Sequence, residues 1–442
     1  MPRLRVIVAV AFLLFIVGGL RAALGQVPSY QGLYDPLRVL NLNLEMAPAD
    51  WNTIKADMSY TQVRPAYFWA DGENKLVVSV RRKPTLAQGD KVSLKIDVNE
   101  YFDNLQWHGV KKLSLENGNG AVVVREGLAW YLHRQAATLD PRYEPPLAAW
   151  VNVNVNGQRL GVYTSVEQPD KSFLRNRDLW APDQTWLYKQ GDIGPPELQA
   201  GSGDSPTYLA LNYKPFQDTI APPAGYQTQL QNLIDMPQML TVGAANVFTG
   251  NMDELLTKGK NFFFADFGPG VAGAKRLYFP WDLDSVFSGK ISNSIYASKA
   301  GTYQQYITLD PAFHGQFNQI MLDLMGNPIT ATQAFLNQLE PVLTPSLLAD
   351  PNSEIGNTAA DIAGEFNSIR QWITNRRANV VQQVQSHPFA GAEVPEPSAG
   401  ALLAALLGGG ALSAAFGRRR TRRPTWTRRH PSSKEAFQRC AP

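Results

Sequence analysis

The chain has 442 residues, of which 44% are hydrophobic, and a formal net charge of +3. Residues 1–25 carry three arginines and residues 418–442 carry nine basic residues, so the body from 26 to 417 is acidic, with 29 basic and 37 acidic residues. This body lacks the basic excess that a nucleic-acid partner requires, and it can form no internal disulfide because the single cysteine, Cys440, lies in the tail.

The first residues have the pattern of a secretory signal peptide. Two early arginines precede an apolar core from Val6 to Leu20, and Ala23 and Gly25 stand three and one residues before a cleavage site at Gln26. The apolar core is short for a membrane span. We therefore predict a signal peptide over residues 1–25, and the alternative is an uncleaved N-terminal anchor.

The first half of the body is predicted to be mostly sheet. From Leu37 to Leu115, several segments alternate polar and apolar residues, as half-buried strands do. The stretch VVVREGLAWYLHRQA then changes to a helical period, and Asn156-Gly157 joins two further strands in a hairpin. Because roughly 390 residues exceed what one core usually supports, two lobes are expected, the first being a sheet-rich N-terminal lobe over 26–193.

The second half of the body is predicted to be mostly helical. Residues 194–225 are rich in Gly, Pro and Ser and predict an irregular connection. Four helical patterns follow, and between the first two lies a strand pair, NFFFADF and RLYFPWD, joined by a glycine-rich turn. A helical C-terminal lobe with this hairpin is predicted over 226–388, and the fold class is α+β.

The tail has the pattern of a membrane and export signal. Pro395-Glu396-Pro397 precede an apolar stretch from Ser398 to Gly417, which is just long enough for a bilayer and is followed by an arginine cluster. This order resembles the PEP-CTERM sorting signal of bacteria over residues 389–423. The resemblance implies transient membrane anchoring, removal by an exosortase-type protease, and a location at the cell surface or in the extracellular matrix. The basic extension, 424–442, departs from the usual signal, which stops soon after its arginines.

Three oxygen-bearing side chains are predicted to meet at one end of the hairpin. Asp253 follows a helix and a small-residue turn in GNMD, Asn261 opens the first strand, and Asp282 ends the second. The hairpin brings Asn261 and Asp282 close together, and the preceding turn brings Asp253 to the same rim. A hard divalent cation such as Mg²⁺ binds few protein oxygens of this kind and shares its remaining positions with phosphate. The sequence therefore predicts a metal site at this rim.

Several motifs in a fixed order resemble the CotH kinase family, named for a bacterial spore coat protein. The resemblance covers roughly residues 37–384, and its motifs include LSLENGN, VVREGLAWYLHRQA, GNMD, NFFFAD and FPWDLD. It implies a two-lobed fold like that of atypical protein kinases. It also implies transfer of the γ-phosphate of ATP, with Mg²⁺ or Mn²⁺, to Ser or Thr hydroxyls of exported or surface proteins.

The resemblance also implies roles for single residues. Asp253 would be the catalytic aspartate, which orients the acceptor hydroxyl or takes its proton. Asp282 would bind Mg²⁺ on the phosphates, and Asn261 would assist it. The protein supplies mainly position and charge neutralisation in such reactions, so a few oxygens and a cation suffice.

The lysine that binds the phosphates is harder to identify. Kinases pair it with a glutamate on a helix, and the resemblance implies Glu126 for that role. Four lysines lie in or beside predicted strands, and Lys95 and Lys189 are favoured over Lys83 and Lys112. The family's Lys-Gly-Asn-Ser-like turn is replaced by VRRKPTLAQ, which is a departure at the phosphate contacts.

Simpler interpretations exist for each candidate. Asp253 could cap the turn that follows it. Asp282 and Asp284 could form a solvated turn or a structural Ca²⁺ site. Glu126, near a helix start, could serve only the helix dipole. The five histidines have no zinc-ligand spacing, so a zinc site is not expected.

Two other classes of function are compatible with the sequence. One is a non-catalytic surface or matrix protein that keeps the kinase-like shape and binds nucleotide or Ca²⁺. The other is a sugar-binding adhesin, which rests only on the export signals and the aromatic content. The presence of Asp253, Asn261 and Asp282 together favours the enzyme, because a purely structural descendant does not need all three.

Overall fold

The computed structural model describes residues 30–84, 87, 89–118, 122–191, 194–212, 224–297 and 310–387. The predicted signal peptide, the sorting tail and the basic extension lie outside these residues. Within the described ranges, no helix is both long enough and apolar enough to cross a membrane. All the described residues belong to one compact unit.

Seven strands of the first half close into a barrel. They are β1 (Leu40–Glu45), β2 (Arg64–Ala70), β3 (Leu76–Arg82), β4 (Leu94–Asp97), β5 (Lys112–Glu116), β6 (Ala148–Val155) and β7 (Gln158–Glu167). Their order around the barrel is β1-β2-β3-β4-β5-β7-β6, and the parallel pairing of β1 with β6 closes it. The predicted sheet is confirmed, but its closure and strand β2 were not predicted.

The alternation of polar and apolar residues determines which side chains face out of the barrel. On β4, Leu94 and Ile96 are fully buried in the barrel core, while Lys95 and Asp97 lie on the opposite face. The hairpin between β6 and β7 turns through Asn156 and Gly157, which have φ angles of 51° and 78° as a tight two-residue turn requires. The barrel thus has an apolar interior, and on β4 its outer face is charged.

A second sheet has four strands. They are β8 (Thr185–Gln190), β9 (Glu197–Ala200), β10 (Phe262–Phe267) and β11 (Leu277–Pro280), in the order β11-β10-β8-β9. The predicted hairpin is confirmed as β10 and β11, which pair antiparallel with Phe262 opposite Pro280. The hairpin is part of a larger sheet, since β8 pairs with β10 and β9 pairs with β8. Strand β8 precedes residue 194 and β9 follows it, so this sheet includes strands from both sides of the predicted lobe boundary. The lobe boundaries therefore stay predictions.

Helices surround the second sheet and cover one side of the barrel. They are α1 (Pro48–Ala56), α2 (Val122–Ala136), α3 (Lys171–Arg175), α4 (Pro206–Leu211), α5 (Tyr226–Leu233), α6 (Met236–Phe248), α7 (Pro311–Leu324), α8 (Asn327–Leu348) and α9 (Ala359–Ser386). The pattern predicted as one helix after residue 226 is divided into α5 and α6. The division occurs because the Asp235 carboxylate accepts the Gln238 N–H at 3.4 Å and a proline follows in the first turn.

Helix α2 lies against the outside of the barrel, as its predicted amphipathic face requires. The indole N–H of Trp150 on β6 donates to the Val123 carbonyl at 2.7 Å. The barrel interior forms one hydrophobic cluster, and α2, the second sheet and the later helices form another. The α+β class is confirmed, while the kinase-like division into two lobes stays a prediction.

Candidate functional site

The open end of the β10–β11 hairpin brings Asn261 and Asp282 to neighbouring positions. The backbone N–H of Trp281 donates to the Asn261 carbonyl at 3.1 Å, which extends the strand pairing by one residue. Asn261 and Asp282 have φ angles of 56° and 59°, in the left-handed region that residues other than glycine seldom adopt. The backbone therefore turns sharply out of the sheet at the same end of both strands.

The GNMD turn reaches the same end of the sheet. Helix α6 ends at Phe248, and Gly250 turns the chain with a φ of 79°. The side-chain oxygen of Asn251 then accepts the Asp253 N–H at 2.9 Å. The Phe287 N–H donates to the Thr249 carbonyl at 2.9 Å, which ties the segment after Asp282 to this turn.

Two lysines bind the carboxylate of Asp253. Lys258 forms a close ion pair with Oδ1, and the Lys260 ammonium lies 3.1 Å from Oδ2. Partial burial raises the pKa of Asp253, but the hydrogen bonds and charges of the two lysines outweigh it and hold the pKa below its usual value. Asp253 is therefore ionised and held in place.

Glu254, which was not predicted as a site residue, caps the turn. Its carboxylate accepts the N–H groups of Leu256 at 2.8 Å and Thr257 at 2.6 Å. Its side chain is fully buried, and this burial raises its pKa to about 7. The interpretation of Asp253 as the cap of this turn is wrong, because its neighbour performs that role.

Carboxylates are concentrated beside Asp253. Asp282 and Asp284 are both exposed residues. The pKa of Asp284 is raised to about 6, first by the partial loss of hydration of its carboxylate and then by the charges of Asp282 and Asp253. A cation placed here would relieve this repulsion. Across the described part of the chain, no three His, Cys, Asp or Glu side chains converge closely enough to hold a metal ion.

Lys83 faces this acidic rim from the barrel. It follows β3, donates to Ser114 Oγ at 2.6 Å, and forms a close ion pair with Glu116 on β5. Burial lowers the pKa of Lys83, and the carboxylates of Glu126 and Asp282 act in the opposite direction. Lys83 therefore lies within electrostatic reach of both the α2 glutamate and the hairpin aspartate.

Glu126 is a buried carboxyl group on α2. Only 3% of the residue is exposed, and burial together with the charge of Asp284 raises its pKa, while Lys83 lowers it. A glutamate that serves only the helix dipole needs no such burial next to a lysine. The charges of Glu126 and Lys83 therefore act on each other, while the carboxylate that Lys83 contacts directly is that of Glu116.

The indole of Trp281 joins the barrel to the second sheet. The ammonium of Lys83 lies 5.5 Å from the ring centre, and that of Lys189 on β8 lies 6.0 Å from it. Both distances suit a cation–π contact. The ring packs edge-to-face on Phe263 at 5.1 Å, so its position is determined by the sheet.

Lys95 lies at the margin of this group. It stands opposite Ser114 on the barrel's outer face, and its pKa is lowered to about 8 by burial and then by the charges of Lys112, Arg81 and Lys189. Lys83 was a candidate that the sequence did not favour. The sequence signal that could have identified Lys83 is the alternation of β3, which places Arg81 and Lys83 on the same outer face of the barrel.

The arrangement suits a polyphosphate with a bound divalent cation. The ammonium groups of Lys83 and Lys189 lie near the ring of Trp281, and Asn261 and Asp282 are neighbours of Trp281 at the open end of the hairpin. Ammonium groups bind phosphate oxygens, and Mg²⁺ prefers carboxylate and amide oxygens. The residues present therefore fit a nucleoside triphosphate with its bound divalent cation.

Comparison with known proteins assigns a family to most of this region. The family model described as CotH kinase protein matches residues 85–380 of the chain. The match includes Asp253, Asn261 and Asp282, and it begins two residues after Lys83. No curated protein matches the chain.

Proposed function

We propose that this chain, which belongs to the CotH kinase protein family, is an exported kinase that transfers the γ-phosphate of ATP to Ser or Thr hydroxyls of surface or matrix proteins. One observation carries the proposal. The ammonium groups of Lys83 and Lys189 flank the indole of Trp281, and the carboxylates of Glu126 and Asp282 act on the same Lys83. Oppositely charged groups from the barrel, helix α2 and the second sheet thus act on one another.

Binding of ATP would use both sides of this position. Asp282, with Asn261, would hold Mg²⁺ or Mn²⁺, and the metal supplies neutralisation of the phosphate charge when it is bound. Lys83 and Lys189 would bind phosphate oxygens. Glu126 would keep the Lys83 ammonium directed at the phosphates, and Lys95 would add positive charge at longer range.

Asp253 would orient the acceptor hydroxyl. Its lysine contacts keep its pKa low, so it is a weak base. A weak base is sufficient because phosphoryl transfer passes through a loose transition state, in which the catalyst mainly positions the reactants. Asp253 would take the hydroxyl proton as the new bond to phosphorus forms.

The two ends of the sequence support a location outside the cell. The predicted leader over 1–25 would direct export, and the tail over 389–423 would anchor the chain in the membrane until an exosortase-type protease removes it. The protein partner would then be another exported protein, at the cell surface or in the matrix of a bacterium.

Transfer of label from ATP tests the function. We expect the purified chain to transfer labelled phosphate to itself or to a generic protein acceptor with Mg²⁺ or Mn²⁺. Asp253→Ala and Asp282→Ala should each lose transfer by about 100-fold or more. Asp103→Ala, at an exposed loop residue, is the control and should transfer normally. Equal labelling by all variants would overturn the proposal.

A second candidate is nucleotide or Ca²⁺ binding without transfer. The observation that favours it is that both oxygens of Asp253 are paired with lysines. A ligand stabilises only the state that binds it, so ATP with Mg²⁺ would then raise the melting temperature while no label is transferred. A rise with Ca²⁺ alone would instead indicate a structural calcium site.

A further inference from the structure

The two lysines on Asp253 differ in their surroundings. The Lys258 side chain is 54% exposed, whereas the Lys260 side chain is 19% exposed. An exposed ammonium is screened by water and salt, while a partly buried one keeps more of its charge effect. Both lysines hold the pKa of Asp253 low, but neither has yet been assigned a contact with a substrate.

The backbone of the turn determines where Lys260 lies. The carbonyl of Glu254 accepts the N–H groups of Lys258 at 3.2 Å, Gly259 at 2.9 Å and Lys260 at 3.4 Å. Gly259 has a φ of 63°, which returns the chain toward Asp253. Lys260 is therefore held by the turn as well as by its ion pair.

Lys260 also lies between the catalytic and metal-binding candidates. It directly precedes Asn261, and its charge acts on the Asp284 carboxylate as well as on Asp253. This is the region in which the acceptor hydroxyl and the terminal phosphate of a bound nucleotide must meet if Asp253 and Asp282 have the proposed roles.

We infer that Lys260 is a further catalytic residue, whose ammonium, anchored on Asp253, binds an oxygen of the γ-phosphoryl group during transfer. The inference rests on the proposed function. The bond between the γ-phosphorus and the bridging oxygen breaks with its electron pair left on ADP, and the acceptor oxygen bonds to phosphorus. The hydroxyl proton passes to Asp253, and Lys260 keeps its protons and supplies charge.

The two lysines provide matched variants. Lys260→Met should lower kcat by about 100-fold or more while the KM for ATP changes by less than about threefold, because the contact forms mainly in the transition state. Lys258→Met should lower kcat at least about tenfold less than Lys260→Met does, because it removes a more exposed pair. Lys260→Arg, which keeps the charge, should recover part of the loss. Unchanged melting temperatures would show that all variants fold.

A binding measurement gives a readout that does not depend on turnover. ADP and Mg²⁺ with aluminium fluoride mimic the transferring phosphoryl group. The wild type should bind this mixture more tightly than ADP and Mg²⁺ alone, and Lys260→Met should lose that difference while keeping its affinity for ADP.

The outcomes separate this inference from the proposed function. If Lys260→Met behaves like Lys258→Met in both measurements while the wild type transfers phosphate, the inference is wrong and the proposed function stands. If the wild type binds ATP and metal but transfers no phosphate, the proposed function fails, and the role of Lys260 fails with it.

Discussion

Lys83 is a partly buried ammonium group, with its side chain 16% exposed, on which polar and charged groups from three parts of the chain act. Ser114 and Glu116 on β5 bind it directly, while Glu126 on α2 and Asp282 after β11 act on it through charge. A buried cation is stable only when such partners compensate for its lost hydration. This set of contacts makes Lys83 a stronger candidate for the phosphates than Lys95, whose neighbours are mostly cations.

Replacement of Lys83 tests its role at the residue scale. Lys83→Met should weaken ATP–Mg²⁺ binding by about 10- to 100-fold, because it removes a desolvated charge-assisted contact. Lys112→Met is the control, since Lys112 lies on the same outer face, is 36% exposed and pairs with Asp97 at 3.2 Å. Titration calorimetry measures both affinities. Equal affinities would show that another lysine binds the phosphates.

His133 makes the stability depend on pH. Its ring nitrogens bond the Tyr143 hydroxyl and the Asn246 side-chain oxygen, and burial lowers its pKa to about 3. The unfolded chain takes up the proton near pH 6.5, while the folded chain stays neutral. The stabilisation is therefore fully present above pH 6.5 and is lost as the pH falls toward 3.

A glutamine at this position should remove that dependence. His133→Gln keeps the side-chain bond to Asn246 possible but cannot titrate, so its melting temperature should fall less steeply than that of the wild type between pH 6.5 and 4. His387→Gln, at an exposed position, is the control. Parallel melting curves for His133→Gln and the wild type would contradict the assignment.

At the scale of elements, the close approach of α2 to the barrel brings Glu126 within electrostatic reach of Lys83. Gly127 lies against Trp150 on β6, and a Cβ at Gly127 would lie 2.3 Å from the indole ring. Only a residue without a side chain permits this contact. The position of the helix thus depends on a single glycine next to the site glutamate.

The helix contact predicts opposite effects for two glycine substitutions. Gly127→Ala should destabilise the protein by about 1–3 kcal/mol, since overpacking outweighs the gain in helix propensity. Gly364→Ala in α9 meets nothing within 4 Å, so it should stabilise the protein by up to about 1 kcal/mol. Urea unfolding measures both. A stabilising Gly127→Ala would mean that α2 can move away from the barrel.

At the scale of the whole molecule, a buried ion pair ties the barrel to the helices. The Lys91 ammonium lies 2.9 Å from Asp350, and both side chains are only 1% exposed. Asp350 follows α8 and also accepts the Val162 N–H of β7 at 2.8 Å. Asp350 therefore joins strand β7 and the segment before β4 to the end of a helix far away in sequence.

Breaking this pair should be costly. Lys91→Met should lower the free energy of unfolding by about 3–5 kcal/mol, because it leaves the Asp350 carboxylate buried without a cation. Lys55→Met breaks a more exposed pair with Asp90 and should cost less than about 1 kcal/mol. Urea unfolding at neutral pH compares them, and similar losses would show that Asp350 is compensated by its backbone donors alone.

Local patterns in the sequence predicted the hairpin end of the site. Alternation and turn residues identify β10 and β11, and strand pairing then requires Asn261 and Asp282 to be neighbours. The helical period of α2 likewise predicted that Glu126 lies on a helix beside the sheet. These features depend on residues close together in the chain, where short-range geometry is sufficient.

Only the tertiary structure decided how the barrel closes and which lysine lies within electrostatic reach of Glu126. The closing pair, β1 with β6, joins segments about a hundred residues apart, and the direction in which Lys83 points depends on that closure and on the packing of α2. Lys83, Lys95 and Lys189 have similar local surroundings in the sequence. Their difference arises from distant residues that bury one ammonium among carboxylates, and no local pattern contains that information.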